Sequence, residues 1–287
     1  MKQKEKTKKR ITAYGILLAV YVLASVVGIV LYGQLPGAWW QRLLVADVAA
    51  TVVTFLFSLL FSNASVYDPY WSVQPLVILG AYAAAGPVSG LGVGILCVIG
   101  LWGIRLTANW AYTFQGMQHQ DWRYTMLKEK TGMFYPLINF VGIHMVPTLI
   151  VYGCTLPAVY AVTHPAQWNV GAGIGCLLSL TAVVLQGTAD VQMHRFRKNR
   201  TGSFIRRGLW KHSRHPNYLG EILMWWGVGL ATVSAFPEAW YLLAGAAANT
   251  LLFLVVSIPM ADGRQSAKPG FAEYKKQTRM LLPIPKH

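Results

Sequence analysis

Long apolar runs alternate with short polar segments along most of the chain. A membrane helix needs about 20 mostly apolar residues. Runs near that length lie at 11–32, 43–61, 73–85, 91–111, 135–160, 170–188, 218–235 and 240–258. The pattern predicts an all-α protein, a multi-pass transmembrane helical bundle of about eight spans. The third run is short and carries Pro75, which predicts a tilted, kinked or partial crossing. Gly86-Pro87 follows almost at once, so the third and fourth runs are expected to form a hairpin. No hydrophilic stretch is long enough for a soluble domain, and no internal repeat is evident. Residues 1–287 are therefore expected to form a single membrane domain.

Charge sets the expected orientation. Lys2, Lys4, Lys6, Lys8, Lys9 and Arg10 precede the first run. Placing that end in the cytoplasm puts three other basic groups on the same side: Arg123, Lys128 and Lys130, then the loop from Arg195 to Arg214, then the tail. Of 25 basic residues, only Arg42 borders an outer loop and only Arg105 falls within a span, so both termini are expected inside. This distribution accounts for the net charge of +15 without a nucleic-acid partner. The chain is 54% hydrophobic and 12% charged, against about a quarter charged for a soluble domain, which excludes a soluble fold. The first run has the basic head and apolar core of a signal peptide. Its length, and the lack of a small-residue cleavage site at 34–39, predict a retained helix in the cell membrane.

Ionisable residues inside spans or at their ends are costly and mark functional candidates. Here they are Asp47, Arg105, Asp190 and Glu221. Asp47 follows Arg42 near the outer face and is expected to pair with it. The other three lie toward the cytoplasmic ends of their helices, where Asp68, Tyr70, Asn109, Asp121, Arg123 and Asn217 join them. Together they predict one polar chamber open to the cytoplasm, with interfacial anchoring as the alternative. The densest segment runs from Asp190 to Glu221. Pro216 suits the first turn of a helix, and Asn217 and Glu221 then share one face. The basic loop before them fits phosphate, which guanidinium binds bidentately, or ordinary inside-positive charge. Gly90-x-Gly92-x-Gly94 and Gly171-x-Gly173-x-Gly175 superficially match a dinucleotide fingerprint, but both open apolar spans. Close helix packing explains them better. Cys97, Cys154 and Cys176 sit in apolar runs without metal-ligand or redox spacing, so no metal is expected.

Gly208-Leu209-Trp210 followed by Ser213-Arg214-His215-Pro216-Asn217-Tyr218-Leu219-Gly220-Glu221 resembles the C-terminal signature of the steroid 5α-reductase superfamily. Asp68-Pro69-Tyr70-Trp71-Ser72 and Leu101-Trp102-Gly103-Ile104-Arg105-Leu106 resemble its bacterial branch. The resemblance covers most of the chain after the first span. It implies a peripheral helix pair over 1–62 and a reductase-like catalytic core over 63–287. It also implies NADPH in a cytoplasmic pocket among the last helices. The matching positions are Asp190, Arg197, Arg206, Arg207, Arg214, His215, Asn217, Tyr218, Glu221 and the tail residue Tyr274. Membrane methyltransferases acting on isoprenylcysteine or phospholipid share a similar Arg-His-Pro-x-Tyr-x-Gly run, so S-adenosylmethionine is the alternative cofactor. Those enzymes carry paired acids before the tail, whereas this chain has the single Asp262 in Met260-Ala261-Asp262-Gly263-Arg264. The Gln-Glu dyad of vertebrate steroid reductases is not visible.

The expected function is NADPH-dependent reduction of a carbon–carbon double bond in a steroid-, sterol- or isoprenoid-like molecule drawn from the bilayer. Hydride addition to a conjugated double bond builds charge on a distant carbonyl oxygen, which must be stabilised or protonated. Asp68, Tyr70 and Arg105 are the expected catalytic residues, with Tyr70 donating the proton. One alternative is a membrane methyltransferase acting on a lipid or prenyl substrate. A transporter or assembly factor is the other, but it would hold polar groups at the midplane, and the span centres here are nearly free of charge.

Overall fold

The computed structural model describes residues 2–199 and 202–284, so Arg200 and Lys286, part of the predicted inside charge, lie outside the described residues. Among the described residues all regular elements are helical and there is no strand. In hydrocarbon each backbone N–H and C=O must find its partner within the protein, which a helix supplies from its own segment. Among the described residues, six helices are long and apolar enough to cross a membrane: Thr7–Gln34, Trp39–Leu60, Gly90–Thr113, Trp122–Thr163, Val170–Asn199 and Pro237–Ser266. The chain is a membrane protein. The two remaining expected spans are helical as well, but differ from these six. Tyr70–Ala85 has 16 residues, about 24 Å at the usual rise and short of a bilayer core of about 30 Å. Pro216–Ala235 has 20 residues, twelve of them buried, so protein rather than lipid covers most of it.

Two helices are locally widened into π-turns, at Asn139–Met145 and Phe253–Ser257. Each π-turn ends just before a proline, Pro147 or Pro259. A proline ring removes one N–H and clashes with the carbonyl four residues back, and the wider turn relieves that clash.

The chain groups into two compact units. The N-terminal unit comprises the residues up to Ala81 together with Gly103–Tyr152. Its first two helices, Lys2–Gln34 and Trp39–Leu60, cross closely enough that a Cβ at Gly28 would lie 3.3 Å from the Ala46 carbonyl oxygen. Ala13, Leu17 and Val20 pack with Val66 and Phe114. Tyr21 pins the connecting segment by donating its hydroxyl hydrogen to the Val66 carbonyl at 2.7 Å.

The C-terminal unit comprises Tyr82–Trp102 and the residues from Gly153 onward. Its centre is the pair Val170–Asn199 and Pro216–Ala235, which meet along small residues. A Cβ at Gly175 would come within 2.5 Å of the Ala231 backbone nitrogen, and one at Gly227 within 2.6 Å of the Gly175 carbonyl oxygen. A Cβ at Gly92 would meet the Ala161 carbonyl oxygen at 3.0 Å. Glycines of both Gly-rich runs thus serve close packing, as expected from their place in apolar helices.

Candidate functional sites

In the C-terminal unit the signature segment begins at Gly208, whose φ of +61° is a left-handed conformation that favours glycine. A Cβ there would also strike the Gln192 side chain at 2.4 Å. Gln192 Oε1 uses this close approach to accept the Leu209 backbone N–H at 2.9 Å. Trp210 turns inward and donates from Nε1 to the Ala189 carbonyl at 3.2 Å. The end of the Val170–Asn199 helix and the connection after it border a half-open cavity of about 580 Å³ whose arginines are exposed. Gln192, Arg195 and Asn199 face it from the helix, and Ser203, Arg206 and Arg207 from the connection. Phe196 and Phe204 add apolar wall. The volume suits a small-molecule ligand, and the lining is rich in donors.

A tail segment braces this wall. Arg206 donates from Nη2 to the Gly270 carbonyl at 2.9 Å, and its guanidinium lies 4.4 Å from the Phe204 ring centre. Phe204 packs with Phe271 and Tyr274 in one buried cluster. Tyr274 donates its hydroxyl hydrogen to the Trp210 carbonyl, and burial pushes that phenol up to about 12. Arg214 holds the strap at its far end, donating from Nη1 to the Thr278 carbonyl at 2.6 Å and from its backbone N–H to the Arg279 carbonyl at 3.0 Å.

Asp262 anchors the same region. Its carboxylate accepts Arg214 Nη2 at 2.9 Å and contacts His215 Nε2 at 3.0 Å, with Lys275 Nζ at 3.8 Å. His215 stacks on Tyr218 at 5.2 Å, and Tyr218 packs on Phe253 at 4.8 Å. Glu221 forms a second hub. Trp225 Nε1 donates to its Oε1 at 2.9 Å, while Trp102 Nε1 and Gln186 Nε2 donate to its Oε2 at 2.9 and 3.0 Å. The residues singled out in the sequence therefore divide. Arg206 and Arg207 line the cavity, Arg214 and His215 bind Asp262, and Glu221 lies in an indole-lined hub. Asp190, Asn217 and Tyr218 are half-buried, and Arg197 is exposed.

The N-terminal unit holds a different polar cluster. Tyr70 donates its hydroxyl hydrogen to Asp47 Oδ1 at 2.9 Å, and Gln74 Nε2 donates to Asp47 Oδ2 at 2.6 Å. The expected Asp47–Arg42 pair does not form. Arg42 instead donates from Nη2 to the Tyr32 carbonyl at 2.6 Å and lies over the Tyr32 ring. Five residues turn a helix by about 140° beyond a full revolution, so Arg42 and Asp47 face different neighbours. Asp68 accepts the Tyr124 hydroxyl at 2.6 Å. Burial pushes its carboxyl up to about 6, although Arg123 and the Tyr124 hydrogen bond act in the opposite direction. Tyr70 and Asp68 thus bond to different partners, and Arg105 is half-buried on the Gly90–Thr113 helix.

Gln192, Asn199 and Gln74 were not singled out in the sequence, and Arg195 only as one charge of the basic loop. Gln192, Arg195 and Asn199 recur at three and four residues on one helix face, a spacing that could have marked them. Gln74 had no local signal. Its role depends on Asp47, which is 27 positions away.

A family model described as protein of unknown function (DUF1295) matches residues 54–278. The chain belongs to the DUF1295 family. That family is associated with steroid 5α-reductase-like membrane proteins. No curated protein and no solved structure matches the chain. The DUF1295 match takes in Tyr70, Gln74, the arginine-lined cavity and Asp262, but begins after Asp47.

Proposed function

We propose that this chain is a membrane-embedded, NADPH-dependent reductase of a carbon–carbon double bond in a lipophilic substrate. The observation that carries the reading is the cavity bearing Arg195, Arg206 and Arg207 beside Ser203 and Asn199. Three guanidiniums with hydroxyl and amide donors suit phosphate esters, which accept bidentate, charge-assisted hydrogen bonds. S-adenosylmethionine carries one carboxylate and no phosphate, so it would leave most of those guanidiniums without an anionic partner. When bound, NADPH supplies the hydride. Arg195, Arg206 and Arg207 hold its phosphates, and the bracing of Arg206 by Gly270 and Phe204 keeps part of that cradle in place.

Tyr70 is the proton source at the substrate's electron-rich end. Asp47 holds the Tyr70 hydroxyl and Gln74 fixes the second Asp47 oxygen, so the phenol oxygen is held in place and its hydrogen turns from Asp47 to the substrate for the transfer. Burial of the phenol, 6% exposed, excludes bulk water from that step.

In this reading the Tyr70–Ala85 and Pro216–Ala235 helices complete about eight crossings, and both termini and the cavity face the cytoplasm. The clustering of Lys and Arg in alternate connections supports that orientation. Cysteines placed at Ser203 and Gln167, in a background without the native cysteines, test it with an impermeant thiol reagent on intact cells. Labelling is expected at residue 167 only, and labelling at 203 alone reverses the topology.

Calorimetry on purified protein tests the cofactor. NADPH is expected to bind more tightly than S-adenosylmethionine, with affinity falling as salt rises. Arg207→Gln is expected to weaken NADPH about tenfold, the loss of one charge-assisted contact of about 1.5 kcal/mol. Heat with S-adenosylmethionine alone would establish the methyltransferase reading instead.

A further inference from the structure

The last long apolar helix, Pro237–Ser266, has 30 residues, more than the about 20 that cross a bilayer, so its end at Ser266 stands at headgroup level. Arg264 lies in its last turn, as suits a membrane surface. Residues 267–270 then lead into the strap, which starts with the short helix Phe271–Gln277. That link reaches at most about 14 Å, so the strap begins beside the membrane surface.

The strap has two unlike sides. Phe271, Tyr274 and Thr278 recur at three and four residues and are buried. They face the Phe204 wall and the signature segment, where Thr278 Oγ1 donates to the Lys211 carbonyl at 3.3 Å. Lys275, Lys276 and Arg279 are exposed. The strap's acid, Glu273, accepts Gln277 Nε2 at 2.6 Å. After the basic residues, Met280, Leu282 and Ile284 are 36%, 55% and 52% exposed. Their backbone is nevertheless held at its start. Ser213 Oγ donates to the Met280 carbonyl at 3.4 Å, and Ser213 pairs with Arg279 as an isolated parallel bridge. A held backbone therefore presents basic and then apolar side chains outward. Apolar surface left in water is unfavourable, and here lipid is within reach.

We propose that this outer side of the strap docks on anionic phospholipid headgroups of the bilayer the chain spans, and that docking braces the cavity wall. Lysine and arginine meet the phosphates, while Met280, Leu282 and Ile284 enter the headgroup layer. A second copy of the chain would bring the same basic side against this one, which like charge disfavours. Phe271 and Tyr274 pack on Phe204 from the inner side, so a force that holds the strap also holds that wall. The proposal rests on neither the reductase reading nor the orientation of the chain.

The test uses the full-length chain in nanodiscs of phosphatidylcholine, with or without phosphatidylglycerol, both doped with headgroup spin-labelled lipid. A fluorophore is placed at Pro283→Cys, an exposed position, in a background without Cys97, Cys154 and Cys176. Phosphatidylglycerol is expected to raise the docked-to-undocked ratio, read by spin-label quenching, about fivefold or more, and salt to reverse the gain. Lys276→Gln is expected to remove about fivefold of that gain. Leu282→Ser with Ile284→Ser is expected to lower quenching in both kinds of disc. Hydrogen exchange in the peptide 203–210, which carries Phe204, is expected to slow about fivefold with phosphatidylglycerol in the unlabelled wild type. Absence of quenching overturns the proposal, as does equal quenching with and without phosphatidylglycerol. Quenching unchanged in both variants, or unchanged exchange at 203–210, overturns it too. Energy transfer between fluorophores on two chains would assign this side to a second copy instead. If a variant fails to fold, the wild-type lipid comparison still decides. NADPH calorimetry in the same discs is a separate readout: its failure removes the reductase reading and leaves the docking result standing.

Discussion

Glu221→Gln is expected to lower stability by about 2–3 kcal/mol while leaving NADPH affinity within about twofold of the wild type. The carboxylate of Glu221 is a pure acceptor on which three N–H groups converge, from Trp225, Trp102 and Gln186. A glutamine amide has one acceptor oxygen and one donor nitrogen. If the oxygen takes the place of Oε2, it keeps Trp102 and Gln186, and the new NH₂ then faces the Trp225 indole N–H. If it takes the place of Oε1, both other donors lose their acceptor. Trp102 and Trp225 are each 1% exposed, so water does not replace the lost bond. Thermal unfolding of the ligand-free protein reads the first effect and calorimetry with NADPH reads the second. An unchanged melting temperature with lost affinity would instead make Glu221 a cofactor ligand. In that case the indole contacts would contribute little to the fold.

The positions of the helices were legible because apolar runs of membrane length have few alternative structures. Their number as spans was less so. Hydropathy registers the apolar side chains of 218–235 but not that the Pro216–Ala235 helix spends them on protein neighbours. The basic loop and its signature located the cavity, and Arg206 and Arg207 line it. Sequence could not sort the remaining charged residues by role, because role here is set by long-range partners. Arg214 and His215 find Asp262 more than 45 positions later. Glu221 finds Trp102, 119 positions earlier. Asp47 shows the same limit in reverse. Its close neighbour in sequence, Arg42, bonds elsewhere, and its carboxylate is claimed by Tyr70 and Gln74 from another helix.

Asp262→Ala is expected to be the most damaging single change in the C-terminal unit, at about 3–5 kcal/mol. Arg214 is 8% exposed, His215 6% and Asp262 7%, so the carboxylate neutralises the Arg214 guanidinium away from solvent. Removing it strands a buried guanidinium beside His215 and Lys275, three groups drawn together by one anion. The damage should spread along the tail. Arg214 also bonds the Thr278 carbonyl, and the strap it holds carries Phe271 and Tyr274, which support Phe204 at the cavity wall. Limited trypsin digestion is therefore expected to cut Asp262→Ala after Lys275, Lys276 or Arg279 well before it cuts the wild type, and NADPH affinity should fall with it. The double variant Asp262→Ala with Arg214→Met separates the two causes. If the loss comes from the stranded charge, the methionine, which fills part of the arginine's volume without its charge, recovers much of the stability. A wild-type digestion pattern and melting temperature in Asp262→Ala would mean that the strap is held by Tyr274 and the Phe204 cluster alone, with the ion pair contributing nothing to its closure.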